Sequence, residues 1–534
     1  MLKKNLICEK VSYSVSNNNL FKNISLSLGN EKTGLVGCNG VGKTTLLRLI
    51  IGELTPQTGI VHANCTIGYL QQNFVIDQEQ TIAGVFGIDQ KIAALERINV
   101  GLGHQHDFET VGDDWDVVER AKALLHRCNL AELDLSRQIK TLSGGQATRV
   151  FFARLLMNKS DFLILDEPTN NLDSESRLAL YDMIKSFDGG LLIVSHDRQL
   201  LSSMDQIIEL TSLGAKAYGG NYEAYTKQKR IEQKALEQDL LDAQKHLSKT
   251  KKVIQKTKER YEKRATKGKT EKRKGGLPTI VLGAHKERSE HTKSKLERNT
   301  DKQLEAVRVE LTTAKSKLEQ KALLGFELEA TRVHNTKLVL EIQNLTFGFP
   351  NCEPIINDFN ITLVGPKRIA ISGKNGSGKT TLLKLIMGQL VPTSGSIKIG
   401  VQPCTYLDQV LSVLNAHQTI LENFKCLNQD VRETDCRLRL AAFLFAHDDA
   451  LRLVGNLSGG EKMRAALACV LMGDTPPQLI LLDEPTNNMD LESIASIERA
   501  LRSYKGALIV VSHDETFLQN IGIEETIELT EGNK

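Results

Sequence analysis

Residues 37–45 read GCNGVGKTT, and residues 373–381 read GKNGSGKTT. Both fit G-x-x-x-x-G-K-[ST], in which glycines let backbone N–H groups crowd around phosphate oxygens. The helix that follows points its positive end at the same oxygens. Each stretch is preceded by an apolar run, TGLVG at 33–37 and RIAISG at 368–373, so the strand–loop–helix context is met twice. That context predicts an α/β fold in each half of the chain. Lys43 and Lys379 are placed to reach the outer phosphates, and Thr44 and Thr380 to ligate Mg2+. The rest of each cradle is Gly37, Asn39, Gly40, Gly42 and Thr45, then Gly373, Asn375, Gly376, Gly378 and Thr381.

Working outward, the chain repeats itself in order. LSGGQ at 142–146 recurs as LSGGE at 457–461. LILDEPTNNLD at 163–173 recurs as ILLDEPTNNMD at 480–490, and LLIVSHD at 191–197 as LIVVSHD at 508–514. Lys43 and Lys379 are 336 residues apart, Gln72 and Gln409 are 337, Ser143 and Ser458 are 315, and Asp166 and Asp483 are 317. The first half therefore holds 22 more residues between its glutamine and its serine. They are expected to include the loop-like GLGHQHDFETVGDDWD at 101–116.

These repeats set the predicted organisation: one domain over 1–228, a second over 338–534, and a linker over 229–337. The linker holds two heptad-like stripes, Leu236–Leu240–Ala243–Leu247 and Leu304–Val307–Leu311–Ala314–Leu318. Such stripes are expected of two helices packed as an antiparallel hairpin. Gly275, Gly276 and Pro278 would mark its tip.

The formal net charge of +3 hides a strong local excess. Lys245–Arg298 holds 19 lysines and arginines against 6 acids, a balance of +13. The 534 residues are 40% hydrophobic, a globular composition with material for several cores. No run approaches the roughly 18 apolar residues of a membrane span, and MLKKNLICEK is no secretory signal. The nine cysteines are scattered with no C-x-x-C pair, which predicts free thiols in a reducing cytoplasm and no zinc site.

Asp166 and Asp483 end the apolar strands FLILD and LILLD, where an acid can hold Mg2+. Glu167 and Glu484 come next and can swing toward an attacking water. A lone Asp-Glu pair is more often a solvated turn, but recurrence at a fixed distance from the phosphate loop argues against that here. His196 and His513 close apolar strands at the same offset and suit hydrogen-bond donation to a terminal phosphate. Ser143, Gly144 and Gly145, and likewise Ser458, Gly459 and Gly460, open apolar helices as a second phosphate cradle. A serine N-cap uses the same groups.

The ordered set of phosphate loop, glutamine, LSGGQ, Asp-Glu and histidine resembles the ATP-binding cassette superfamily over both halves. The resemblance implies ATP as substrate with Mg2+, and it makes Gln72 and Gln409 the Q-loop glutamines, which approach the metal. It makes Asp173 and Asp490 the D-loop acids. It also implies two cassettes closing head-to-tail within a monomer. Site one would join Gly37–Thr45, Gln72, Asp166, Glu167 and His196 to Ser458, Gly459 and Gly460. Site two would join Gly373–Thr381, Gln409, Asp483, Glu484 and His513 to Ser143, Gly144 and Gly145. Neither site lacks its Glu or His, so both are expected to hydrolyse ATP. The adenine-stacking position falls on Phe349 in the second half and on Val15 in the first, with Tyr13 as stand-in.

More narrowly, the chain is similar to the ABC-F subfamily: two cassettes, no membrane domain, and a helical linker with a basic tip. That resemblance implies a soluble cytoplasmic factor that binds the ribosome in its ATP state, its linker reaching toward tRNA and the peptidyl-transferase centre. It would serve either as a translation factor or in protection against ribosome-targeting antibiotics. Lys263, Arg264, Lys267, Lys269, Lys272, Arg273 and Lys274 are the candidate RNA contacts, since phosphate neutralisation supplies salt-dependent affinity. The competing readings are the motor of a transporter with a separate membrane partner, a DNA-repair ATPase, and a solvated spacer for the linker. Two departures from the family pattern stand at Asn171 and Asn488, where histidine is common. They imply altered coupling between the cassettes.

Overall fold

The computed structural model describes residues 6–15, 18–72, 79–170, 172–211, 214–272, 298, 302, 304–309, 312, 331–350 and 353–529. By contacts the chain divides into one unit of Met1–Tyr225 with Leu324–Lys534, and another of Thr226–Leu323. Each cassette in the first unit is built alike. The strands of the first are β1 (Leu6–Val15), β2 (Asn18–Leu28), β3 (Lys32–Val36), β4 (Thr58–Ala63), β5 (Ile67–Leu70), β6 (Phe162–Asp166), β7 (Gly190–Val194), β8 (Gln206–Thr211) and β9 (Gly214–Gly219). Its principal helices are α1 (Lys43–Ile50), α2 (Gly144–Met157) and α3 (Ser174–Lys185).

A central sheet runs in the order β5-β6-β7-β3-β8-β9, parallel but for the last pair. Strands with both faces covered need apolar residues at every position, and FLILD and GLLIV are buried throughout. Their side chains alternate faces. Ile164, Leu192 and Val194 join α1 and the antiparallel sheet β2-β1-β4, while Leu163, Leu165, Leu191 and Ile193 join α2 and α3. Each such side chain contributes about 1.5–3 kcal/mol by leaving water. The strand ends are thus held rigidly between two layers, and Asp166 sits on one of them.

The second cassette repeats this plan with β10 (Leu338–Phe347), β11 (Ile356–Val364), β12 (Arg368–Ser372), β13 (Ser394–Ile399), β14 (Cys404–Leu407), β15 (Leu479–Asp483), β16 (Ala507–Val511) and β17 (Glu525–Glu528). Its all-parallel sheet is β14-β15-β16-β12-β17, beside the antiparallel β11-β10-β13.

The extra residues of the first cassette are not loop throughout. Gln105–Val111 is a helix. Asp107 accepts from the backbone N–H of His104 at 2.9 Å and is paired with Arg97, which caps the first turn and ties it to the helix Asp89–Asn99. Three glycines in the segment obscured that signal.

In the other unit, α4 (Tyr222–Lys272) is one continuous helix of 51 residues whose first four residues belong to the cassette unit. Its less exposed positions run Leu236, Leu240, Ala243, Leu247, Thr250, Ile254 and Thr257, extending the heptad stripe. Residues 304–309 are helical with Val307 buried. The expected tip at 275–278, with Arg273 and Lys274, and the stripe positions Leu311, Ala314 and Leu318, lie outside the described residues. No helix among the described residues is long and apolar enough to cross a membrane.

Candidate functional site

Each phosphate loop turns into its helix through a glycine that only glycine can be. Gly42 has φ 102° and Gly378 φ 92°, a region that side chains rarely adopt. A Cβ on Gly42 would meet Phe21 at 3.0 Å, and one on Gly378 would meet Ile355 at 2.6 Å. Behind them Lys43 and Lys379 open α1 and the helix α5 (Lys379–Ile386). The Lys43 ammonium donates to Gly37 O at 2.7 Å and lies 3.0 Å from His196 Nε2. Lys379 donates to Gly373 O at 2.7 Å and Lys374 O at 2.8 Å.

Thr44 Oγ1 donates to Asp166 Oδ2 at 2.8 Å, and Thr380 hydrogen-bonds Asp483 in the same way. In the second site the Tyr406 hydroxyl also donates to Asp483, at 3.1 Å. The other oxygen of each aspartate, Asp166 Oδ1 and Asp483 Oδ1, is buried without a hydrogen-bond partner among the described residues. A buried carboxylate oxygen left unsatisfied is costly, and a threonine hydroxyl beside it completes the hard-oxygen pair that Mg2+ prefers. These residues fit an ion that arrives with phosphates.

The next residue explains why the motif is Asp-Glu. Glu167 and Glu484 have φ 49° and 48°, left-handed conformations rare outside glycine and costing on the order of 1–3 kcal/mol. The turn carries the second carboxylate to the same side as the first, rather than to the opposite face of the strand. It is held by the backbone, with Glu167 N donating to Val194 O at 2.8 Å and Glu484 N to Val511 O at 2.9 Å. Glu167 Oε1 thereby lies 3.1 Å from His196 Nε2, and Glu484 Oε1 lies 3.5 Å from His513 Nε2.

Burial dominates the electrostatics of both pairs. It pushes the Glu167 carboxyl well above the ordinary range, against the pull of Lys43. It pushes Glu484 up to about 7, opposed by Arg177 and Lys379. Burial, helped by the neighbouring ammonium, pushes His196 down to about 3 and His513 to about 4. Both imidazoles are therefore neutral near pH 7, able to donate one hydrogen bond and accept another.

Ser143 and Ser458 cap α2 and α6 (Gly459–Leu471) in reciprocal boxes with Gln146 and Glu461. The two glycines that follow differ in task. Gly144 faces open space, as a phosphate cradle requires, whereas a Cβ on Gly145 would lie 2.3 Å from Ser176 Oγ. Gly460 and Ser493 repeat that closeness at 2.3 Å. The second glycine thus admits the helix behind it, a packing reason beyond the cradle role expected from sequence.

The cassettes meet through the D-loop acids. Asp490 caps α7 (Leu491–Ser503) with one oxygen, accepting from Ser493 N at 2.8 Å, and with the other accepts from Asn39 N in the opposite phosphate loop at 2.9 Å. Asp173 caps α3 and accepts from Asn375 N in the mirrored way. Asn488 accepts from Asn39 Nδ2 at 2.9 Å and from Asn170 Nδ2 at 3.1 Å. Asn171 lies outside the described residues.

A cavity of about 410 Å3 marks site one, lined by Asn39, Lys43, Thr44, Gln72, Asp166, Glu167 and His196 among others. The second cassette contributes Asn488 to it. Ser458, Gly459 and Gly460, expected there, are not among its lining residues. Nor are Tyr13 and Val15. Leu20 and Val194 supply the apolar side, while Tyr13 packs on the core of the antiparallel sheet. In the second half Phe349 is exposed and meets Phe347 edge-on at 5.3 Å. Among the cross-cassette groups unseen in the sequence are Ser174 and Arg177 beside His513, and the Arg198–Glu498 pair. None recurs at its repeat position, so the repeat gave no signal for them.

The ABC transporter family model matches residues 21–170 and 356–487. The energy-dependent translational throttle protein EttA of Mycobacterium tuberculosis is 32% identical, over 91% of this chain and 84% of that one. ABC transporter F family member 5 of Arabidopsis thaliana is 30% identical, over 94% of this chain and 71% of that one. Among solved structures, an RNase-L inhibitor superposes with a TM-score of 0.53 at 19% identity, covering 98% of this chain and 87% of that one, which supports the tandem-cassette fold. Two cassettes, each with an intact phosphate loop and Asp-Glu-His set, make the chain an ATPase, and it belongs to the ABC-F subfamily of ATP-binding cassette proteins.

Proposed function

We propose that the chain uses ATP to time its residence on the ribosome, in the cytoplasm. The observation that carries this reading is the basic run on the linker. It begins along α4, a helix not apolar enough to cross a membrane, and has a balance of +13 over Lys245–Arg298. A concentrated positive run suits a nucleic acid read by shape through its phosphates. The 32% identity to a protein named as a translational throttle supports translation as the setting.

In this reading Lys43 and Lys379 bind the outer phosphates, and the pairs Thr44–Asp166 and Thr380–Asp483 hold Mg2+. The ion would neutralise charge on the phosphate oxygens when bound. Glu167 and Glu484 orient and deprotonate the attacking water, while His196 and His513 donate to the terminal phosphate. Asp173 and Asp490 register each loop against the opposite cassette, so closing assembles both sites together. Gln72, on the cavity wall, senses the metal, and Gln409 does the same in the second site. Phe349 stacks on adenine, and the first site binds the base without an aromatic.

The test is sedimentation with ribosomes in ATP, ADP and a non-hydrolysable ATP analogue. Retention with the analogue and release with ADP are expected. Replacing Lys263, Arg264, Lys267, Lys269 and Lys272 by alanine should weaken retention by roughly 10–1000-fold at moderate salt and flatten its salt dependence. Recovery with membranes or DNA and not with ribosomes would overturn the proposal.

A further inference from the structure

The two reaction centres match residue for residue, but what the opposite cassette lays against them does not. Beyond Asp173, the first turn of α3 brings two polar groups to His513 in the second site. Ser174 Oγ lies 3.2 Å from His513 Nδ1, and Arg177 Nη1 donates to His513 O at 3.4 Å. Arg177 is itself steadied, its Nε donating to Leu172 O at 3.2 Å and its Nη1 lying 3.8 Å from Asp197 Oδ2. The repeat places Leu491 and Ile494 at these positions in the second cassette. Leu491 packs on the core of the first cassette, and Ile494 is buried in its own. Neither has a polar atom to offer. His196 accordingly has Nδ1 buried without a partner among the described residues, while its Nε2 stands between Lys43 and Glu167.

We propose that Ser174 and Arg177 are positioning residues for ATP hydrolysis at the second site, and that they make it the faster of the two. A neutral imidazole carries one N–H, and its partner at one nitrogen decides which nitrogen bears the proton. A serine hydroxyl can donate or accept; in the proposed role it donates to Nδ1, which leaves the proton on Nε2, the atom nearest Glu484. Arg177 holds the His513 carbonyl, so ring and backbone are both fixed from across the interface. At the first site Lys43 and Glu167 face Nε2, and among the described residues no hydrogen bond from the second cassette reaches the ring. The inference rests on reading His513 as the group that meets the terminal phosphate.

The experiment uses full chains in two backgrounds: Glu167→Gln, where the second site turns over, and Glu484→Gln, where the first does. In the Glu167→Gln chain, Ser174→Ala should lower kcat for ATP about tenfold, the worth of one hydrogen bond, without raising KM. Ser174→Thr, which keeps the hydroxyl, should restore most of it. In histidine-labelled protein, the 15N shifts of His513 should move away from the Nε2–H pattern on Ser174→Ala and return with Ser174→Thr. A fall of the same size in the Glu484→Gln chain would overturn the inference, because Ser174 would then act through the fold. His513→Ala in the Glu167→Gln chain separates the layers. If it leaves hydrolysis intact, the reading of His513 falls and takes the inference with it. If it abolishes hydrolysis while Ser174→Ala changes neither rate nor 15N shifts, the inference alone is wrong.

Discussion

Replacing Glu167 and Glu484 together by glutamine is expected to lower the steady-state kcat for ATP by roughly 10²–10⁴-fold, the usual contribution of general base catalysis. ATP should still bind. Glutamine has the shape of glutamate and the strained turn is held by backbone bonds, Glu167 N to Val194 O and Glu484 N to Val511 O, so the local fold should persist. What disappears is a proton acceptor a few ångströms from a neutral histidine, at both sites at once. Lys43, Thr44 and Asp166 remain on phosphate and metal, so the loss should fall on kcat with KM little changed. The contacts of Asp173 and Asp490 with the opposite phosphate loops are untouched, so the variant should remain closed on its nucleotide. On the proposed function it should then stay on ribosomes longer than the wild type. Phosphate release and filter-retained nucleotide measure the two halves of this expectation. A double variant that keeps a tenth of wild-type turnover would remove the carboxylates from the chemistry.

Much of this site was legible because the chain contains it twice. FLILD and LILLD announce strands covered on both faces, and parallel topology brings their C-terminal ends to the same edge of the sheet as the phosphate loops, with one strand between. Three things were not legible. The left-handed turn at Glu167 and Glu484 carries no propensity signal, since glutamate does not favour it; the pairing of strand ends imposes it. The helix Gln105–Val111 hid among glycines because its stability comes from one acid, Asp107, bonded both to the backbone before it and to Arg97. Cross-cassette contacts outside the repeat cannot be found by comparing halves. Ser174 corresponds to Leu491, Arg198 to Glu515, and Glu498 to Tyr181. A residue that works only once in a pseudo-symmetric chain looks, by repeat logic, like drift.

That asymmetry has an energetic side. Arg198 opens a short helix in the first cassette and Glu498 lies on α7 of the second, and their charged ends meet at 2.5 Å with each side chain about nine-tenths buried. Glu498 also accepts from Asn520 Nδ2 at 3.0 Å. Arg198 hydrogen-bonds Tyr222, the first residue of α4, so the pair adjoins the root of the linker helix.

Arg198→Ala should therefore disfavour the closed arrangement by about 3 kcal/mol or more, the usual cost of stranding one member of a buried pair. When the cassettes part, Glu498 regains water and the cost vanishes, so the penalty acts on closure more than on the folding of either cassette. About 3 kcal/mol corresponds to roughly a hundredfold in the closing equilibrium. The expected result is faster nucleotide release and lower ATPase activity at limiting ATP, with each cassette still folded. Arg198→Met with Glu498→Met provides the contrast. Removing both charges from a buried site often costs little, because two desolvation penalties go with one attraction. The double variant should recover most of the lost closure, measured by nucleotide retention and by a distance probe across the interface. If it is as open as Arg198→Ala alone, the pair holds the cassettes by shape, and the stranded charge is not the cause.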